Sequence, residues 1–578
     1  MINVQILPEP KSTKFSQQTF NLKKRLSGKV LQSIDKTIKD FPNRAERALS
    51  SAGLKVKFIV VDKFSDQEYK IEIGTKGIIV FGGSTNGLFH GYQSLLQILS
   101  QCESKIPCGI IQDNPDIQTR SYHLDLRSHK FKIAYIKNLF RELAKLKFNT
   151  VVIEYQDTFP FSKEKFITGN MHFSKDQIAE LNKAAEDVGI ELIPYQNVLG
   201  QLDYILDLEP YSNLSLKSTN ISFGNRELDI SNNKAVKLMS GLLDELSSTH
   251  TSKKIFLSAL NNNDACQNID EDVQLCEKKA AYLAGLAKLA AKKGKTPIIW
   301  ADLFDKCPDI LSELPEKTII VTRHLSTQTE LSKQIKLFSD AGLNPAASGT
   351  ILQSPDNEFA RDTARSVQNI AEAAKVAKKS PATGLFVYSS TTIDGAPMKP
   401  ANGYSVDFMS GTRRMHINTT WYSISAASEF SWNASNPDEK SFASKWPLFF
   451  FGINEKNLVQ LQLLQSKDYF SGATNAEITR DRKKIIKLIS ELKVPQKKEI
   501  LAFIDFYARL AIHAVHVRQI FSHPPKKQEI ALLRGEIARL KDKHSNIMKD
   551  SLYSREISDE QKYLFGHTEI LLKRLVRK

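Results

Sequence analysis

The sequence predicts an α/β protein built around a (β/α)8 TIM barrel, with a small α/β domain before it and a helical region after it. Short apolar runs alternate with amphipathic stretches through the middle of the chain, and eight such runs can be counted. The first part has closely spaced strands, and the last part has helical periodicity alone. Because 578 residues exceed what a single hydrophobic core holds, we expect domains over residues 1–115, 116–450 and 453–578.

The first domain is predicted from three short strands and one helix. The strands are expected at 55–61, 69–73 and 77–81, and the T-K-G turn before the last strand predicts a hairpin. Apolar residues then recur at helical spacing between Leu88 and Leu99. This unit carries no catalytic motif of its own, so we expect it to be non-catalytic.

The barrel is predicted from strict alternation of strands and helices. The strands are expected at 121–126, 149–155, 190–195, 254–260, 296–301, 318–324, 345–351 and 384–390, with helices such as 133–147, 175–188, 234–247 and 272–293. Ser174 with Gln177 predicts a capping box at the start of one helix. A doubly wound open sheet would also alternate, but eight strands without a G-x-G-x-x-G turn favour the barrel.

The third domain is helical and basic. Apolar stripes at 485–492, 500–515 and 530–540 predict helices. Residues 451–578 hold 25 Lys and Arg against 15 Asp and Glu, which is +10 of the total charge of +16. These charges follow amphipathic helices, so we expect solvated helix faces and no nucleic-acid partner, with weak attraction to acidic glycans as the alternative.

Composition excludes several classes of protein. No apolar run reaches the roughly 18 residues of a membrane span. The first residues lack a signal peptide, which predicts a cytoplasmic protein as written, or an exported one if a signal was removed. The five cysteines are expected to be reduced, and Cys266 with Cys276 lacks the further ligands of a zinc site. We therefore expect no metal and no cofactor.

Chemistry in a barrel belongs at the carboxyl ends of its strands. The polar or aromatic residues at those ends are Asp125, Arg127, Glu154, Asp157, Gln196, Asn197, Asn261 to Asp264, Trp300, Asp302, Arg323, His324, Ser348 and Ser389 to Asp394. Several carboxylates with an arginine and aromatic rings suit a hydroxyl-rich ligand such as a sugar.

Five motifs occur in one order along the chain: R-S-Y-H-L-D-L-R (120–127), N-T-V-V-I-E-Y-Q-D-T-F-P-F (149–161), G-I-E-L-I-P-Y-Q-N-V-L-G-Q (189–201), T-P-I-I-W-A-D (296–302) and T-T-W-Y-S-I-S-A-A-S-E-F-S-W-N (419–433). They resemble glycoside hydrolase family 20, and within it the hexosaminidase-D-like branch of β-N-acetylhexosaminidases. The resemblance covers roughly residues 1 to 450. It implies substrate-assisted hydrolysis, in which the 2-acetamido oxygen attacks the anomeric carbon and an Asp-Glu pair after the fourth strand assists.

The resemblance places that Asp-Glu pair at Leu260 and Asn261, so the catalytic position holds an amide that has no proton to donate. The nearest acid is Asp264, and Asp157, Asp302 and Asp394 stand at other strand ends. Family positions carried over as substrate-binding residues are Arg127, Asp157, Gln196, Trp300 and Asp302. The usual Gly-His is Gly200-Gln201, one expected tryptophan is His324, and another is replaced within 388–392.

Three functions of the barrel remain open, beside a weaker alternative in which the basic C-terminal helices make the protein a polyanion-binding module. The first is a β-N-acetylhexosaminidase-like protein that recognises a terminal N-acetylhexosamine on glycans although its Asp-Glu pair is replaced. The second is a catalytically inactive glycan-binding or scaffold protein, and the loss of residues that act as a unit favours it. The third is a glycosidase that uses a relocated acid such as Asp264. The glycan-binding and glycosidase alternatives predict a carbohydrate partner at the barrel mouth, whereas a scaffold requires none.

Overall fold

The computed structural model describes ten stretches of the chain: residues 4–22, 41–127, 129–216, 227–259, 273–305, 307–322, 328–351, 362–389, 416–465 and 473–576. A five-stranded sheet comes first, an eight-stranded closed barrel follows, and helices complete the chain. The predicted fold class is therefore confirmed.

The first sheet has the order β1-β5-β3-β4-β2 and carries helices α1 and α2. Its elements are β1 (Ser12–Asn21), α1 (Asn43–Ser51), β2 (Val56–Val60), β3 (Tyr69–Gly74), β4 (Gly77–Gly82), α2 (Thr85–Gln101) and β5 (Lys105–Asp113). The predicted hairpin is present as the antiparallel pair β3 and β4. Alternate residues of β3 are buried, which gives the sheet one apolar face for α2 to cover.

The barrel consists of eight parallel strands, and β10 pairs with both β9 and β11 in the closed ring. The strands are β6 (Thr119–Asp125), β7 (Thr150–Glu154), β8 (Glu191–Asn197), β9 (Lys254–Ser258), β10 (Thr296–Trp300), β11 (Ile319–Val321), β12 (Asn344–Ile351) and β13 (Gly384–Ser389). Almost every strand residue is buried, because the lumen covers one face of each strand and helices cover the other.

The helices that accompany the barrel strands are α3 (Ile133–Lys145), α4 (Lys175–Glu186), α5 (Asp203–Leu206), α6 (Asn233–Thr249), α7 (Val273–Lys292), α8 (Gln328–Asp340), α9 (Thr363–Lys379) and α10 (Trp421–Trp432). Short 3-10 helices lie at Gln156–Thr158, Lys165–Ile167, Glu209–Leu214, Pro308–Glu313 and Ile417–Thr419. The capping box at the start of α4 is confirmed, since Gln177 N donates to Ser174 Oγ at 3.1 Å and Ser174 N donates to Gln177 Oε1 at 2.8 Å.

The remaining helices are α11 (Glu439–Phe451), α12 (Asn457–Leu464), α13 (Asn475–Glu491), α14 (Lys498–Ile520), α15 (Lys527–Met548) and α16 (Ser554–Val576). Within the described stretches, α14 is the one helix long and apolar enough to cross a membrane. However, most of its apolar part is buried inside the protein, as in a core helix. It packs against α13 and α15.

A buried polar cluster joins the first domain to the barrel. Asp113, which ends β5, accepts hydrogen bonds from Tyr69 Oη at 2.7 Å, Trp432 Nε1 at 2.9 Å and Lys147 Nζ at 3.2 Å. The Lys147 ammonium and the Arg120 guanidinium lie 4.2 Å and 4.9 Å from the centre of the Trp432 ring. Burial lowers the pKa of Lys147 and brings that of Arg120 to about 9, although the Asp113 charge opposes both shifts.

Glu142 joins the first barrel helix to the C-terminal helices. Its carboxylate lies 3.0 Å from Lys145 Nζ and 2.8 Å from Lys497 Nζ, just before α14. Burial raises the pKa of Glu142, but the charges of the two lysines and their hydrogen bonds outweigh it and bring the pKa to about 2. The two ion pairs of Glu142 therefore stabilise the fold only at pH values at which Glu142 is ionised.

We expect Glu142→Gln to remove an acid-sensitive part of the stability. The folded pKa lies below the unfolded value of about 4.5, so the contribution is full above pH 5 and is lost as the pH falls toward 2. Calorimetric melting of both proteins at several pH values should show a difference on the order of 1–3 kcal/mol near neutrality that shrinks at low pH. Glu491→Gln, in an exposed pair with Lys487, is the control, and an equal pH response in it would contradict the prediction.

Candidate functional site

The inward-facing side chains of the barrel form a packed core with a polar layer above it. Alternation along each strand turns every second residue toward the lumen. The apolar lumen residues are Val152, Ile193, Tyr195, Phe256, Ile298, Trp300, Val321, Ala346, Phe386 and Tyr388. The same alternation places Asp125, Glu154 and Asn197 at the carboxyl ends of β6, β7 and β8. These three neighbouring strand ends form one edge of the barrel mouth.

Arg127 occupies the centre of this edge. Its Nε and one Nη atom each lie 3.0 Å from a different oxygen of Asp125, so the guanidinium and the carboxylate meet as two parallel hydrogen bonds. A second Nη donates to Gln201 Oε1 at 3.0 Å, and the first also lies 3.4 Å from Tyr388 Oη. The Arg127 side chain is only 6% exposed. Its planar group is thus held in one orientation by three elements.

Asp125 stays ionised because of this pairing. Burial raises its pKa, but the charge of Arg127 and three hydrogen bonds from that residue lower it further, together with the nearby His123. The net pKa lies below the usual range for an aspartate. The Arg127 backbone N–H contributes one of those hydrogen bonds, at 2.8 Å. Residue 127 is therefore fixed to the end of β6 through both backbone and side chain.

Glu154 supplies a second carboxylate beside the first. One of its oxygens accepts from Asn197 Nδ2 at 2.7 Å and from Gln156 Nε2 at 3.1 Å, and lies 3.4 Å from Arg127 Nε. Its other oxygen lies 3.3 Å from His123 Nε2. Only 1% of the Glu154 side chain is exposed. One guanidinium therefore stands between two buried carboxylates, with amides and an imidazole at their outer sides.

Aromatic rings form the floor below these polar groups. His123 stacks on Tyr388 with ring centres 4.7 Å apart, and Trp300 meets Tyr388 edge to face at 5.7 Å. Tyr195 packs on Phe256 at 5.0 Å. Burial, followed by the Glu154 and Tyr388 charges, raises the pKa of Tyr195 well above its usual value, so its hydroxyl stays protonated. The site is thus a set of fixed polar groups over an apolar floor.

The structure brings only some of the predicted substrate-binding residues to this edge. Arg127 is at its centre, and Trp300 belongs to the aromatic floor. Gln196 lies on the outer face of β8, where its amide donates to Tyr204 Oη at 2.8 Å. Asp157 pairs with Lys130 Nζ at 2.8 Å outside the lumen, and Asp302 is partly buried just beyond β10. Their roles stay predictions.

The predicted catalytic positions lie outside the described residues. These are Asn261 and Asp264. Leu260, Arg323, His324 and Asp394, which were noted at or near strand ends, lie outside the described residues as well. Among the residues that the structure does describe, no group of three His, Cys, Asp or Glu side chains could hold a metal ion. His123 and Tyr388 complete the site but were not selected from the sequence. Counting back two residues from Asp125 would have found His123, since both face the lumen.

Comparison with known proteins gives matches to one family. Residues 3–114 match the family model described as glycosyl hydrolase family 20, domain 2. A lacto-N-biosidase from Bifidobacterium bifidum is 28% identical over 191 residues, which are 33% of this chain and 17% of that protein. A β-hexosaminidase from Akkermansia muciniphila is 25% identical over 289 residues, 41% of this chain and 57% of that one. Hexosaminidase D from Homo sapiens is 22% identical over 205 residues, which are 33% of this chain and 41% of that protein. The chain thus spans less than two thirds of each of these relatives.

Solved structures share the fold over a larger part of the chain. The match to a chitobiase from Flavobacterium johnsoniae has a TM-score of 0.56 at 16% identity. It covers 99% of this chain and 93% of the chitobiase chain. The match to an exo-β-N-acetylglucosaminidase from Vibrio harveyi, in complex with N-acetylglucosamine, has a TM-score of 0.55 at 15% identity. It covers 80% of this chain and 77% of that enzyme's chain. Identities this low establish the architecture alone.

Proposed function

We propose that this chain, a member of glycoside hydrolase family 20, binds a terminal N-acetylhexosamine of a glycan at its barrel mouth without hydrolysing it efficiently. The observation that carries the proposal is the Arg127 cluster, a buried guanidinium fixed between two buried carboxylates. The set is held in one arrangement by its own hydrogen bonds, and a preorganised site loses little entropy on binding.

The chemistry of the cluster suits a sugar ring. A sugar hydroxyl both donates and accepts hydrogen bonds, so it can bridge a carboxylate oxygen and a guanidinium N–H. Arg127 with Asp125 and Glu154 presents both types of partner within one buried group. The aromatic floor that contains Tyr388 and Trp300 lies beneath this group and supports it with apolar packing.

The absence of efficient hydrolysis is proposed from the sequence. Leu260 and Asn261 stand where the family resemblance expects the acid pair, and an amide cannot protonate a leaving oxygen. Loss of a general acid alone typically costs about 10²- to 10⁴-fold in rate, and loss of the group that stabilises the developing charge costs more. Binding requires neither group, so recognition can persist when cleavage does not.

A second candidate function is hydrolysis with a relocated acid. Asp264 is three residues past the expected acid position, and Asp302 follows the next barrel strand. This candidate requires one of these carboxyl groups to protonate the leaving oxygen. This candidate differs from the first in one measurable property, which is release of an aglycone.

Calorimetry with N-acetylglucosamine and N-acetylgalactosamine tests the proposal, with glucose as the control that lacks the acetamido group. We expect binding of at least one N-acetylhexosamine, weaker binding of glucose, and no release of a chromogenic aglycone from β-linked substrates between pH 4 and 8. Release that Asp264→Asn or Asp302→Asn abolishes would replace this proposal with the relocated-acid candidate. No sugar binding at all would reduce the barrel to a scaffold.

A crystal soaked with an N-acetylglucosamine thiazoline gives an independent test. This compound mimics the oxazoline intermediate that substrate-assisted hydrolysis forms. We expect it at the edge that Arg127 defines, with its hydroxyl groups on the guanidinium and on Glu154. Binding elsewhere on the protein would contradict the assigned site.

A further inference from the structure

The segment that follows Arg127 is joined directly to the C-terminal helices. Lys132 N donates to Ser551 O at 2.7 Å, and Phe131 pairs with Leu552 in an antiparallel bridge. Ser551 and Leu552 lie in the turn between α15 and α16. The backbone that leaves the candidate sugar site is therefore hydrogen-bonded to an element 419 residues further along the chain.

A buried carboxylate strengthens this junction. Glu560 of α16 lies 3.0 Å from His129 Nε2 with one oxygen and 2.9 Å from His544 Nε2 of α15 with the other. The three side chains are 5%, 0% and 1% exposed. His129 is two residues past Arg127, so the carboxylate acts very close to the site.

The charge of Glu560 is maintained by its two partners. Burial raises its pKa, but the charge and hydrogen bond of His129, followed by those of His544, hold the pKa well below the usual range. Well-packed apolar residues often stabilise a fold as much as a buried ionic group does. Stability alone therefore does not explain why Glu560 and its two histidines are buried here. A buried ionic group can also serve to specify one geometry of the segments that it joins.

We infer that Glu560 is a positioning residue for the sugar site: through His129 it fixes the segment that follows Arg127, and with it the orientation of the guanidinium. Arg127 is thus held from the barrel side by Asp125 and from the helical side by this contact. The inference rests on the proposed function, because Arg127 is taken to contact the sugar. It gives the C-terminal helices a part in ligand recognition.

The same helical region contains a matched control. Glu536 of α15 also binds two histidines, with His513 Nδ1 at 2.8 Å and His516 Nδ1 at 2.7 Å. Both of these histidines belong to α14, so this second cluster joins helices to each other and leaves the barrel segment untouched. Glu560→Gln and Glu536→Gln therefore remove the same kind of interaction, and only the first one affects the segment that follows Arg127.

Hydrogen exchange and calorimetry on the full-length chain test the inference. We expect Glu560→Gln to speed amide exchange of residues 125–135 about tenfold and to weaken N-acetylglucosamine binding about tenfold, because small displacements of a binding group are costly. Glu536→Gln should change neither the exchange rate of residues 125–135 nor the sugar affinity by more than about twofold. The melting temperature should fall by similar amounts in the two variants. Equal exchange at 125–135 and equal affinity in the two variants would overturn the inference.

A second pair of variants covers the case in which Glu560→Gln does not fold. His129→Gln retains an N–H donor for Glu560 and should bind the sugar like the wild type, whereas His129→Leu should bind it about tenfold more weakly. Equal binding by these two variants would also overturn the inference. If the wild type binds neither N-acetylglucosamine nor N-acetylgalactosamine, the proposed function fails, and the exchange comparison still decides whether Glu560 positions the segment.

Discussion

Replacement of Asp113 by alanine should lower the free energy of unfolding by about 3–5 kcal/mol, the cost of removing one partner from a buried ion pair. Asp113 and Lys147 are both fully buried, and 3.2 Å separates their charged atoms. Without the carboxylate, the Lys147 ammonium remains in a low-dielectric environment with Tyr69 Oη at 3.0 Å as a neutral partner. Burial already lowers the pKa of Lys147, so in the variant it should lose its proton more readily.

The Asp113 variant should also separate the first domain from the barrel at lower denaturant concentration. Asp113 belongs to β5, whereas Lys147 and Trp432 belong to the barrel, so one side chain joins both units. Urea unfolding followed by tryptophan fluorescence should show an earlier first transition. The control is Asp340→Ala, which removes a pair with Lys336 whose side chains are 62% and 75% exposed and should change stability by less than about 0.5 kcal/mol. Equal effects of the two substitutions would contradict this prediction.

Replacement of Arg127 by alanine should weaken N-acetylglucosamine binding at least about 100-fold, which corresponds to about 3 kcal/mol. Under the proposed function, the substitution removes donors to the sugar hydroxyls. It also leaves Asp125 and Glu154 buried without their cation. Arg127→Lys retains the charge but lacks the planar fork that meets both oxygens of Asp125, so it should recover little of the affinity.

The Arg127 variants need a control for folding. Arg365→Ala removes an arginine that is 50% exposed and pairs with Asp362 on the surface, and it should leave sugar binding unchanged. Melting temperatures show whether each variant is folded at the temperature of the titration. Sugar binding by a folded Arg127→Ala protein at wild-type affinity would exclude this edge of the barrel as the site.

The barrel was predictable because its strands are buried on both faces and are therefore read as continuous apolar runs. The predicted strand at 121–126 is observed as β6 at Thr119–Asp125, and the other strands differ by similar margins. In contrast, β1 was not predicted. Its residues Ser12–Asn21 are mostly exposed, so they show no alternation, and the strand is defined by its antiparallel pairing with β5.

The candidate site was predictable in its location and only partly in its membership. Topology alone places Asp125, Arg127 and Glu154 at neighbouring strand ends. Which carboxylate Arg127 meets depends on side-chain register across strands, and that information is not present in the local sequence. Gln196 illustrates the difference, since it stands at a strand end but on the outer face, beside Tyr204.

The contact between Asp113 and Trp432 also has a consequence for biosynthesis. The two residues are 319 positions apart in the chain. At a synthesis rate of about 5–20 residues per second, roughly 15–60 s pass between the appearance of the first partner and that of the second. During this interval the first domain has no Trp432 to dock against, although Lys147 follows Asp113 by only 34 residues. The nascent first domain therefore depends on its own small sheet for compactness until the last barrel helix emerges.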